Sequence, residues 1–181
     1  MKMLKQMLLL SLVLVSFQSR ASLLIEPHVA YQFAGKNDDT VPPTTFSGTQ
    51  YGARLGMQTF GLMAGADYTR SSITIKQTGY ANKDTNRDQI GGFVGYKFPI
   101  LLRAWASYYF SDKTTAANGD YVSGSGTEIG LGFTGLPFLS VNLMYRTSKY
   151  DTYFIGGTKG TLSPTEKANE IALGVSLPLN L

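Results

Sequence analysis

From residue 22 onward, apolar and polar side chains alternate with a period of two along nearly the whole chain. In 49–59, Tyr51, Ala53, Leu55, Met57 and Thr59 fall on one side, and Gln50, Gly52, Arg54, Gly56 and Gln58 on the other. A strand sends successive side chains to opposite faces, so this segment has one apolar and one polar surface. A helix would scatter the same residues around its axis. The pattern therefore restricts the chain to an all-β fold with two chemically opposed faces.

Eight such segments are legible, at about 23–34, 49–59, 62–74, 89–98, 101–111, 125–134, 138–149 and 169–180. The connections alternate in length. Phe60-Gly61, Pro99-Ile100 and Gly135-Leu136-Pro137 read as tight turns. Residues 35–48, 75–88, 112–124 and 150–168 are polar, rich in Gly, Asp, Asn, Thr and Lys, and read as long loops. All the short connections then sit at one end of an up-and-down sheet. That asymmetry belongs to transmembrane β-barrels, with short periplasmic turns and longer external loops.

A leader precedes the strands. Lys2 and Lys5 open it, Met7 to Phe17 form an apolar run, and Ser19-Arg20-Ala21 supplies small residues at a cleavage site. Residues 1–21 read as a secretory signal peptide and 22–181 as the barrel domain. The apolar run is well short of the roughly 20 residues a membrane helix needs. The formal charge of +4 owes much to this leader. Without Lys2, Lys5 and Arg20, 13 basic residues face 12 acidic ones, and no basic stripe remains to bind nucleic acid. The chain has no cysteine, which excludes disulfides, thiolate metal sites and a cysteine nucleophile. A mean hydropathy of -0.04 is too low for a bundle of membrane helices and normal for a barrel.

With odd strands running outward, Tyr31, Phe33, Tyr51, Tyr68, Tyr108, Phe110 and Tyr145 fall near one rim. Phe60, Tyr96, Phe98, Phe133 and Phe138 fall near the other. Two aromatic girdles at the lipid–water boundaries are expected. The polar face collects Glu26, His28, Asp67, Glu128 and Glu170 with Arg54, Lys97, Arg103 and Arg146. An eight-stranded barrel is just wide enough for its own side chains, so these charges should close into an ionic network that plugs the lumen. His28 is expected beside Glu26, as a structural residue.

With these features, residues 23–181 resemble the small eight-stranded outer-membrane barrels: the OmpA transmembrane domain and the OmpX and OmpW groups. The resemblance implies an eight-stranded antiparallel up-and-down transmembrane β-barrel in a bacterial outer membrane. It also implies contact with lipid and lipopolysaccharide, delivery by the outer-membrane assembly machinery, and a monomer whose long loops could meet an extracellular ligand. Such barrels usually end in an aromatic residue, whereas this chain ends Leu179-Asn180-Leu181. Lipid A deacylating barrels carry a His-x-Ser pair where this chain reads His28-Val29-Ala30, so no enzyme activity and no cofactor are expected. Asp38-Asp39 and the Asp84/Asp88 pair read as solvated loop charge. Two rival readings follow from the same pattern. One is a narrow channel or lateral route for small or hydrophobic solutes. The other is a soluble periplasmic barrel of lipocalin type, with its apolar face turned inward.

Overall fold

The computed structural model describes residues 21–40 and 42–181. Almost all of the leader read at 1–21 lies outside the described residues. Eight long strands run β1 (Ser22–Asn37), β2 (Thr44–Thr59), β3 (Leu62–Gln77), β4 (Lys83–Lys97), β5 (Leu102–Ala116), β6 (Tyr121–Leu136), β7 (Leu139–Ile155) and β8 (Thr158–Ser176). A two-residue β9 (Leu179–Asn180) continues β8 past Leu177-Pro178. Each of the eight long strands pairs antiparallel with the next, and β1 pairs with β2, β8 and β9, which closes the ring. The seam is fastened by Leu23, whose N–H and C=O both bond to Leu181, at 2.9 and 3.0 Å. No helix occurs among the described residues.

The tight turns at one end follow from local chemistry. Phe60 and Gly61 have φ of 48° and 85° and join Thr59 directly to Leu62. Two successive positive values make the two-residue hairpin turn whose twist matches that of the flanking strands.

The opposite end differs from the sequence reading. The four segments read as long loops are mostly strand, leaving only short connections at 38–43, 78–82, 117–120 and 156–157. The ladder continues through Thr44↔Gln77, Thr85↔Ala116 and Tyr121↔Phe154. Above the apolar belt neither face meets lipid, so the alternation in hydrophobicity stops while backbone pairing goes on. Gly156 and Gly157, at φ of 58° and 84°, turn the β7–β8 hairpin as Phe60-Gly61 turns β2–β3. The strands run to 19 residues, where about 9–11 suffice to span a bilayer. The surplus is a polar collar at the end away from Phe60-Gly61.

Bulges in β5 and β1 reverse the inward parity. In β5, Arg103, Trp105, Ser107 and Tyr109 point into the lumen, Phe110 and Ser111 are both exposed, and Asp112 is again buried. In β1 the shift lies between Gln32 and Gly35. An extra residue on one strand of a pair bends it and re-aims every side chain beyond.

Apolar bulk fills part of the lumen in two clusters. Leu24, Met63 and Phe93 form one, and Ala30, Trp105, Met144 and Ala172 the other. Gly130 makes room for the second, because a Cβ there would overlap the Trp105 indole. Leu55, Leu131 and Leu143 point the other way and are 54%, 62% and 49% exposed. The wall is thus apolar outside and polar inside, opposite to a soluble lipocalin-type barrel.

Candidate functional site in the barrel lumen

Each strand contributes to the lumen at every second residue, and the charged ones meet in a continuous column. Arg54 of β2 is at its centre. Its Nε donates to Asp67 at 2.9 Å, one terminal nitrogen to Glu128 at 3.1 Å, and the other to Glu26 at 3.4 Å. The guanidinium lies 4.3 Å from the Trp105 ring centroid, within cation–π range.

Below it, Glu26 also receives both terminal nitrogens of Arg103, one of them at 2.7 Å. Arg103 goes on to Asn142 at 2.9 Å and Ser176 at 2.8 Å. Above it, Glu128 Oε2 takes the Nε and a terminal nitrogen of Arg146 at 3.1 and 2.6 Å. Arg146 reaches Glu170 at 2.6 Å and Gln50 at 3.2 Å. Glu170 then receives Arg87 at 2.7 Å, and Arg87 clasps Asp112 through two nitrogens at 2.7 and 2.6 Å and meets Ser148.

Every guanidinium in the column has a carboxylate, and every carboxylate a guanidinium. Neutral donors occupy further lone pairs: Trp105 Nε1 on Glu128 at 3.0 Å, and Tyr109 and Ser107 on Asp67 at 3.2 and 3.1 Å. All nine charged groups are nearly inaccessible, Glu170 the most exposed at 4%. Buried charge survives only when paired and hydrogen-bonded in this way. Shape assists as well, since a Cβ at Gly132 would lie 2.6 Å from Arg103 Nε.

The structure brings together seven of the nine residues expected in the network: Glu26, Arg54, Asp67, Arg103, Glu128, Arg146 and Glu170. Lys97 is a correction. It is the last residue of β4, exposed at the rim, and makes no ion pair among the described residues. Its parity points inward, but the wall ends there and water solvates the ammonium. His28 is half-buried, and its Nε2 lies 3.3 Å from Thr69 Oγ1 rather than against Glu26. Both Glu26 oxygens are already engaged by arginine.

Arg87 and Asp112 are the members that sequence reasoning missed. Arg87 continues the inward parity of Gln89, Gly91 and Phe93, and was legible had β4 been extended. Asp112 follows the β5 bulge, so strict alternation points it outward.

The acidic pairs remain apart from this column. Asp38 pairs with Lys36 at 2.7 Å, and Asp39 accepts the Lys167 N–H at 2.7 Å. Asp84 and Asp88 lie on β4 rather than in a loop and accept from Thr74 and Tyr68 at 2.7 and 2.9 Å. No group of three or more His, Cys, Asp or Glu suited to a metal ion occurs among the described residues. The twelve rim aromatics all face outward, from Tyr96 at 38% exposure to Phe138 at 81%.

The chain matches no protein-family model and no curated protein. Solved structures do resemble it. Neisserial surface protein A superposes with a TM-score of 0.54 at 14% identity, over 88% of this chain and 99% of that one. Ail, the attachment invasion locus protein of Yersinia pestis, solved with the heparin analogue sucrose octasulfate, gives 0.54 at 12% identity, over 88% and 99%. A de novo designed transmembrane β-barrel gives 0.50 at 14%, over 86% and 95%. At these identities the likeness is one of fold, and that fold is the eight-stranded transmembrane β-barrel of small outer-membrane proteins.

Proposed function

We propose that this chain is an integral, monomeric protein of a Gram-negative outer membrane with a plugged lumen and a structural or surface-interaction role. One observation carries the reading: an apolar wall encloses a column of paired charges running from Arg103 to Asp112. In water an exposed belt of Leu, Val, Ile and aromatic side chains would drive aggregation, whereas acyl chains solvate it. The column occupies the path an ion would take. Moving an ion through would require separating groups that each hold two or more partners.

The polar collar carries the surface-interaction part of the proposal. It replaces the long loops of the sequence reading with a ring of strands that project beyond the belt. Lipid and lipopolysaccharide are the partners of the wall, and the outer-membrane assembly machinery is the partner for insertion.

Two measurements test this. Membrane fractionation with heat-modifiable gel mobility should recover the folded protein only with detergent. Planar bilayers containing the purified protein should then show no steady conductance steps. Reproducible unitary currents would overturn the plug, and recovery in a detergent-free soluble fraction would overturn the membrane assignment.

A further inference from the structure

On the outer wall, the β1 bulge opens a groove of about 510 Å³ between β8 and β3. Its lower part is apolar, lined by Phe33, Ala34, Tyr145 and Ile171. Because the bulge leaves Phe33 and Ala34 both facing out, and Ala34 and Gly35 are small, the wall is recessed there. Its upper part is cationic. The ladder places Lys36, Thr45 and Lys76 side by side on three adjacent strands, all exposed.

We propose that this groove seats a phosphorylated lipid of the surrounding leaflet, with an acyl chain against Phe33 and Ile171 and a phosphate on Lys36 and Lys76. The proposal rests on the reading of the chain as a lipid-facing barrel. Four observations fix the class of ligand. Apolar and cationic parts are stacked along the strand direction, in the order that acyl chain and phosphate have in a leaflet. Lys76 has no ion-pair partner among the described residues. Lys36 has only Asp38, with the two side chains 59% and 60% exposed, a contact weak enough for a phosphate to displace. The one carboxylate in the lining, Glu170, is committed inward to Arg87 and Arg146 and does not repel an anion.

The test is native mass spectrometry of the full chain released from detergent micelles with bisphosphorylated lipid A, or with the same lipid after dephosphorylation. The wild type should retain the phosphorylated lipid and lose the dephosphorylated one. K36Q/K76Q should retain roughly thirtyfold less, because both lysines beside the phosphate lose their charge. K113Q/K159Q, which removes the same charge from exposed positions away from the groove, should match the wild type. Equal retention by K36Q/K76Q, or equal retention of the dephosphorylated lipid, would overturn the site. Heat-shifted mobility and membrane fractionation of each variant separate the two failures. A variant that folds and inserts yet binds normally defeats only the site, whereas a wild type that does not insert defeats the barrel reading beneath it.

Discussion

Arg87 and Glu170 stand 83 positions apart in sequence and meet at 2.7 Å inside the lumen. Their contact joins the Asp112 end of the column to the part built around Arg54, because Glu170 also holds Arg146 through its other oxygen. Removing Arg87 leaves Asp112 and Glu170 buried with too few donors. R87M should therefore destabilise the folded barrel by about 3–5 kcal/mol, the usual cost of breaking a buried pair from one side. Urea titration in micelles, read by heat-modifiable mobility, measures it.

The same geometry predicts non-additivity. D112L removes the partner that Arg87 grips with two nitrogens. The double variant R87M/D112L should cost less than the two single changes summed, with a coupling of about 0.5–3 kcal/mol. Strict additivity in the double-mutant cycle would mean that the two side chains do not meet in the folded protein.

Lys97 should behave differently from every arginine in the column. It is exposed and unpaired among the described residues, so K97Q should change stability by no more than about 0.5 kcal/mol. A loss of several kcal/mol in the same urea assay would return it to the network.

Leu131 tests the direction of the wall. It is 62% exposed and pairs across strands with Ala104 and Leu143. In a bilayer L131R should cost about 2–4 kcal/mol, the penalty for arginine near the midplane of a barrel's lipid face. Unfolding in lipid vesicles reads this directly; an unchanged midpoint would place Leu131 in water.

Gly130 tests packing rather than charge. A methyl group there overlaps the Trp105 indole, which is held by its hydrogen bond to Glu128. G130A should cost about 1–3 kcal/mol as an overpacking change, and tryptophan fluorescence should report a displaced ring.

The alternation in 49–59 put Arg54 and Leu55 on opposite faces, and the rim aromatics and alternating connection lengths then made Arg54 the inward one. The same rule oriented Glu26, Asp67, Arg103, Glu128, Arg146 and Glu170 toward the lumen. It failed where its physical basis ends. Above the belt, Thr, Lys and Asp occupy both faces, so the strand that carries Arg87 looks like loop. At the β5 bulge one inserted residue reverses the parity, and Asp112 looks like surface.

By itself the sequence determined an all-β chain with one face for lipid and one for charge, since period-two chemistry survives only in a strand whose two sides meet different media. Which arginine holds which carboxylate was decided by closure of the ring. Partners such as Glu26 and Arg103 lie on strands far apart in the chain, and only the curvature of the closed wall brings their side chains within hydrogen-bond reach. The height of the barrel was likewise a tertiary outcome. Backbone pairing extends the collar wherever the neighbouring strand is in register, whatever the side chains it carries.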